Sequence, residues 1–365
     1  MDDRIHEHAE TLVDWSARIE SGDDVVIAVA DGAHDLAVAT ARVLGERGAN
    51  LISLYQSNEI TRAYLQGHDG AFDRDPEYQR ALYENADSVL FLGGGRNVAA
   101  TADVPGDRMN AYSRARQAIR EAQMDTDWVS TVHPTRSLAQ QAGMSYPAYE
   151  TFVYDAVLRD WEELADEMAT LKHILDDGSE VTIVGEDTHL TMSIESRTAV
   201  NSAASVAYDS HNLPSGEVFT APASPDGYVT FDVPMTIRGK RVRDVRLEFE
   251  DGVVVDYSAS INEDVIGEVL DTDGGAKRLG ELGIGMNRGI GQPTDSILFD
   301  EKMAETIHLA VGRAYDACLP DGEDGNDSAV HVDLITQMDA GSRFEVDGEV
   351  IQRDGQFRWE DGFQP

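Results

Sequence analysis

The chain has 365 residues, with 29 Lys and Arg against 68 Asp and Glu, a formal net charge of −39 and 41% hydrophobic residues. That hydrophobic share builds a core, so the acidity belongs to a folded surface and not to a disordered acidic tail, and the length exceeds what one core usually serves, which predicts two domains. A polyanion repels nucleic acid and anionic membrane, and the most basic stretch, Arg-Gly-Lys-Arg-Val-Arg at 238–243, is too short to reverse that.

The first eight residues carry neither a basic nor an apolar leader pattern, and no run approaches the roughly 18 apolar residues that cross a bilayer, so a soluble cytoplasmic protein is expected. An amphipathic stretch at 4–20 precedes an apolar run at 25–30, a helical pattern at 35–47 and a second apolar run at 51–55. This is a βαβ unit, and its crossover makes the two strands parallel. Further strands are expected at 88–92, ending in Gly93-Gly94-Gly95, and at 128–132, ending in His133-Pro134-Thr135. The triple glycine lacks the spacing of a dinucleotide-binding loop and reads as a turn. From 147 to 175 apolar residues recur at intervals of three and four, from Phe152 and Val153 through Trp161 and Leu164 to Leu171 and Leu175, which predicts one long helix. Asp176-Asp177-Gly178-Ser179 stops it and marks the domain boundary.

Beyond that point alternating apolar positions predict strands at 181–184, 190–194, 228–237, 245–249 and 253–257, the last two joined as a hairpin through Asp251-Gly252. Helices are expected near 261–271 and 301–317, and a strand at 330–336 follows an acidic, Gly-rich loop at 321–328. The expected fold is an α/β N-terminal domain with a mostly parallel sheet over 1–177, then an α+β, β-rich domain over 178–365.

In the last strand His331 and Asp333 are two residues apart and share a face, with Val330 and Val332 on the other. An imidazole and a carboxylate so placed can converge on one metal ion. His308 and Tyr315, seven apart in the expected helix at 301–317, would share a face two turns along. Glu217 lies between two prolines in Pro214-Ser215-Gly216-Glu217-Val218-Phe219-Thr220-Ala221-Pro222, and Glu281 lies in Arg278-Leu279-Gly280-Glu281-Leu282-Gly283-Ile284-Gly285. Among apolar neighbours an unpaired carboxylate is costly, so each needs a cation, a hydrogen-bond donor or a raised pKa; an ion pair with Arg278 would be the plain alternative for Glu281. Together the five residues Glu217, Glu281, His308, His331 and Asp333 offer three carboxylates and two imidazoles without a thiolate. That set suits one or two Zn²⁺, Co²⁺, Mn²⁺ or Fe²⁺ ions, and the single cysteine, Cys318, excludes a multi-Cys site.

The segments at 213–222, 279–287, 297–315 and 328–333, in this order, resemble those of the thermophilic-type metallo-aminopeptidases, the aminopeptidase T and aminopeptidase S family, and Gln140-Gln141-Ala142-Gly143-Met144-Ser145 resembles that family as well. The resemblance implies a two-metal exopeptidase acting on peptides, with Glu217, Glu281, His308, His331 and Asp333 as metal ligands, Tyr315 beside the metals, and a homodimer. One departure is Glu305, where the family pattern has a small glycine ahead of Thr306-Ile307-His308. A related branch, the 2,5-dihydroxypyridine dioxygenases, holds one iron through two His and one Asp, for which His308, His331 and Asp333 would serve. A non-catalytic metal-binding dimer is the third reading. Finally, the chain has only four lysines, Lys172, Lys240, Lys277 and Lys302. Carboxylates spread over a whole surface suit molar salt, where the Debye length falls to about 3 Å, so a halophilic protein is expected; within the family it resembles, the chain is shorter than the bacterial members and nearer the archaeal branch.

Overall fold

The apolar runs near the start of the chain pair as parallel strands, as a helical crossover requires. The computed structural model describes residues 2–72 and 76–364. Strands β1 (Asp24–Ala30), β2 (Asn50–Gln56), β3 (Ser88–Gly93), β4 (Asp127–Val132) and β8 (Asn212–Leu213) form one sheet in the order β2-β1-β3-β4-β8, and every pairing is parallel. The crossover helix His34–Arg47 ends on Gly48 in the left-handed conformation, φ 79°, the usual glycine stop. Val25 to Val29 are buried, as in a strand covered on both faces, whereas β2 lies at the edge and is mostly exposed. After β3 the chain turns at Gly94 with φ +123°.

β8 belongs to a return segment that sequence patterning does not reveal. Two compact units result, Met1–Arg159 with Ala204–Pro214, and Asp160–Ala203 with Ser215–Pro365. The return segment is fastened to β4: the Ser130 amide donates to the His211 carbonyl at 2.7 Å, His211 Nδ1 donates to the Trp128 carbonyl at 2.8 Å, and the two rings stack with centroids 4.4 Å apart.

The expected boundary at 177 thus moves to 159, and the single long helix becomes two, Tyr146–Val157 and Trp161–Asp177. Asp160 is the cause of the break, because its carboxylate accepts the Glu163 amide at 3.0 Å and starts a new helix; Asp160-Trp161-Glu162-Glu163 has the spacing of a capping box. The second helix is held in the second unit by its own partners. Asn201 Nδ2 donates to the Ala165 carbonyl at 2.9 Å, and Asp176 accepts the Ala199 amide at 2.7 Å.

The second unit contains two larger antiparallel sheets. Eight strands, β5 (Glu180–Gly185), β6 (Thr188–Ser193), β10 (Ala223–Phe231), β13 (Val245–Glu250), β14 (Val253–Ser258), β18 (Arg343–Val346), β19 (Glu349–Arg353) and β20 (Gln356–Phe357), are ordered β14-β13-β10-β6-β5-β18-β19-β20. The strand expected at 228–237 stops at Phe231, since Pro234 has no N–H for a ladder, and the rest forms a hairpin of β11 (Met235–Ile237) and β12 (Lys240–Val242). Five strands, β7 (Val200–Ser202), β9 (Glu217–Thr220), β15 (Leu279–Gly285), β16 (Thr306–Gly312) and β17 (His331–Gln337), are ordered β17-β16-β15-β9-β7.

β16 replaces most of the helix expected at 301–317. All seven of its residues are buried between β15 and β17, and a short, continuous apolar run is the pattern of a strand covered on both faces. β9 and β15, for which the sequence pattern predicts no element, are strands.

Candidate metal centre

The register of the five-stranded sheet fixes which side chains meet, because directly opposed residues share a face and faces alternate along each strand. Gly283 opposes Phe219 on one side and His308 on the other, and His308 opposes Ile335. Glu281 opposes Ala310, which opposes Asp333; Gly312 opposes His331, and Gly285 opposes Glu217. Glu217, Glu281, His308, His331 and Asp333 therefore all project from one face. Leu282, Ile284, Ile307, Leu309, Val218 and Leu334 take the opposite face and are buried in the core.

Glu281 keeps the alternation of Gly283 and Gly285 on the site face, and the ladder becomes irregular just before it. Strict alternation would put Leu279 and Glu281 on the same side, but the register shifts between them, so that Leu279 opposes Val311 and Glu281 opposes Ala310. The extra residue, Gly280, forms a bulge that turns Leu279 to the core face, and a side chain there would strike the Arg313 carbonyl oxygen at 2.2 Å. Room on the same face comes from Gly283, Ala310 and Gly312. A Cβ on Gly283 would lie 2.0 Å from His308 Nε2, so the imidazole occupies the space that glycine leaves.

The ligand atoms fall into two sets that share one residue: Glu217, Glu281 and His308, and Glu281, His331 and Asp333, each with its ligand atoms within 4.8 Å of one another. Glu281 Oε1 faces His308 Nε2 at 3.1 Å, and Oε2 faces His331 Nε2 at 3.2 Å. His331 Nδ1 donates to the Arg313 carbonyl at 2.8 Å, which leaves Nε2 for the site; Asp333 is 3.5 Å from that atom. Glu217 Oε2 and His308 Nδ1 are buried without a hydrogen-bond partner, and Oε2 lies 3.6 Å from His308 Nε2. A buried carboxylate oxygen left without a donor is costly, and a cation between these sets would satisfy it. The donor set therefore fits divalent metal.

Ionisation follows the same geometry. Burial raises the Glu281 carboxyl, but hydrogen bonds from His308 and His331 outweigh it and bring the group down to about 2. Burial lowers both imidazoles, yet their carboxylate partners lift His308 to about 9 and His331 to about 11. At neutral pH the metal-free cluster holds its charge balance with protonated imidazoles, so loading metal releases those protons and affinity rises with pH.

Two neighbours carry no signal in the sequence beyond being charged. Lys302 is fully buried, with Nζ 3.4 Å from Glu217 Oε1 and in contact with Glu301. Burial pushes the Glu301 carboxyl up, with Glu217 and Asp333 adding to the rise and Lys302 opposing it. Glu305 has φ +63°, in the region that favours glycine, and its carboxylate is held by Arg288 Nη1 at 2.9 Å. Tyr315 follows β16 as an extended residue and not on a helix with His308. Its ring centroid is 5.1 Å from that of His331 and 5.6 Å from that of Phe219, and burial together with the nearby carboxylates raises its phenol above the ordinary tyrosine value.

The model of the family described as thermophilic metalloprotease (M29) matches residues 1–357. Aminopeptidase T of Thermus aquaticus is 28% identical over 97% of this chain and 96% of its own length. Aminopeptidase PepS of Streptococcus thermophilus is 26% identical over 97% and 95%. The structure of wild-type AmpT from Thermus thermophilus shares the fold, with a TM-score of 0.84 over 98% of this chain and 99% of that one at 24% identity.

Proposed function

The chain belongs to the thermophilic metalloprotease (M29) family and is a metallo-aminopeptidase, and we propose that it releases N-terminal amino acids from peptides at two divalent ions held by Glu217, Glu281, His308, His331 and Asp333. The observation that carries this reading is the sharing of Glu281 by two ligand sets, one oxygen toward each histidine. Such a carboxylate is suited to bridge two ions. A single ferrous ion would need His308, His331 and Asp333 in one set, but the two histidines fall in different sets among the described residues.

Bound there, the ions supply Lewis acidity and a nucleophilic hydroxide at neutral pH. The chain's own groups do the rest. Glu217 and Glu281 would hold the ions and offset their charge, Lys302 faces one Glu217 oxygen and leaves the other for metal, and Tyr315, whose ring packs against His331, would donate its hydroxyl hydrogen to the oxyanion that forms at the scissile carbonyl. Carboxylate and imidazole ligands without thiolate suit Zn²⁺, Co²⁺ or Mn²⁺. A homodimer fits the exposed apolar residues of edge strand β2, Leu51, Ile52 and Tyr55, which a second copy could cover.

Chelator treatment is expected to abolish cleavage of leucyl p-nitroanilide, and Zn²⁺, Co²⁺ or Mn²⁺ to restore it with oxygen excluded. The N-acetylated anilide should not be cleaved, because acetylation removes the amine that a metal site for exopeptidases binds. No anilide cleavage with any of these metals, together with oxygen uptake on a hydroxylated pyridine, would overturn the peptidase reading. The halophilic reading rests on the −39 charge: at 0.1 M salt the surface repels itself over a Debye length near 10 Å. The thermal midpoint is accordingly expected to rise between 0.1 M and about 2 M KCl, and a flat dependence would remove the basis for it.

A further inference from the structure

The metal ligands account for one part of the site face of the five-stranded sheet, and an aromatic residue accounts for the part beside it. Phe219 stands two residues after Glu217 on β9 and opposes Gly283, so its ring projects from the same face as the ligands. It is only half buried, packing against Ala221, Ala314 and Cys318 beneath it, with Val200 and Leu319 alongside. Its ring centroid is 5.6 Å from that of Tyr315, which in turn is 5.1 Å from His331 and 47% exposed. An apolar wall with a water-facing surface therefore begins at the edge of a cluster of carboxylates and imidazoles.

Resting on the aminopeptidase reading above, we infer that Phe219 is the specificity-determining residue that receives the side chain of the peptide's first amino acid, and that this side chain is aliphatic or aromatic. Three features of the face carry the assignment. A half-exposed phenylalanine gains free energy only when apolar surface covers it. The first residue of the substrate is the one whose backbone must sit at the metal ligands, so its side chain is the part of the peptide within reach of a ring that shares their face. An acidic first residue would have to bury its carboxylate against this apolar wall without a partner, which is costly.

The test compares leucyl, phenylalanyl, alanyl and glutamyl p-nitroanilides on metal-loaded protein, with Phe219→Ala and Phe219→Leu beside the unmodified chain. The unmodified chain should prefer leucyl and phenylalanyl over alanyl, and glutamyl least. Phe219→Ala should lower kcat/KM for the two large apolar substrates by roughly 10- to 100-fold and for alanyl by less than about 3-fold, the range that lost apolar contacts in a pocket give. Phe219→Leu should keep most leucyl activity, and metal content should be unchanged in both variants. An equal loss on all substrates, no loss on any, or loss of metal from both variants would overturn the assignment and make Phe219 structural. If the unmodified chain cleaves no anilide, the peptidase reading fails and takes this one with it; if it cleaves them without the selective loss, only the role of Phe219 fails.

Discussion

Replacing Glu281 by glutamine is expected to lower bound metal from about two ions per chain to less than about one, and kcat/KM on leucyl p-nitroanilide by at least about 1,000-fold, on the scale of losing a group that stabilises the transition state. The amide keeps the volume of the carboxylate and its place on β15, so the fold should survive. What it loses is the negative charge that both ligand sets share, with Oε1 3.1 Å from His308 and Oε2 3.2 Å from His331. One nitrogen would then present hydrogens where a ligand oxygen stood. His331→Ala is the control, because His331 belongs to one set only and its loss should leave the Glu217, Glu281 and His308 set able to retain an ion. Elemental analysis of dialysed protein and anilide turnover measure both. If Glu281→Gln and His331→Ala lose the same single ion, Glu281 does not bridge.

Lys302→Met is expected to destabilise the metal-free protein by about 3–5 kcal/mol, the cost of stranding a buried charge without its partner. The methionine fills nearly the same space, but the carboxylates of Glu217 and Glu301 lose the ammonium beside them. Added Zn²⁺ should recover most of the loss, since a dication at the Glu217 set replaces the missing charge. The measurement is the midpoint of denaturant unfolding with and without metal. A Lys302→Met variant as stable as the unmodified chain in chelator would show that Lys302 compensates nothing.

The parallel sheet is legible in the sequence because βαβ periodicity requires little tertiary information: an apolar run, an amphipathic helix and a second run admit one hand and one pairing. Glu217 and Glu281 stand out for a related reason, since a carboxylate among apolar and small neighbours must be explained. β15 is not legible, because Gly280, Gly283 and Gly285 look like loop punctuation while each answers to a close approach from another strand or loop. Gly283 makes room for the His308 ring, and Gly280 for the Arg313 carbonyl. The pair Glu301-Lys302 escapes notice for the opposite reason, as adjacent opposite charges normally mark solvated surface and only the tertiary fold buries them. His308 and Tyr315 show how spacing misleads: seven residues fit two helical turns, yet the apolar run through Ile307 to Val311 is that of a central strand.

The return of residues 204–214 to the first unit bears on how the protein emerges from the ribosome. Strand β4 is complete by Val132, but its outer neighbour β8 is made only after residues 160–203, which belong to the other unit. At roughly 5–20 residues per second, the nascent first unit spends several seconds with the edge of β4 open, and an open parallel edge is a template for wrong pairing. Assembly is therefore interleaved and not sequential: the first sheet cannot close until the second unit has begun, and a fragment ending at Arg159 would keep permanently the bare edge that the whole chain exposes only in passing.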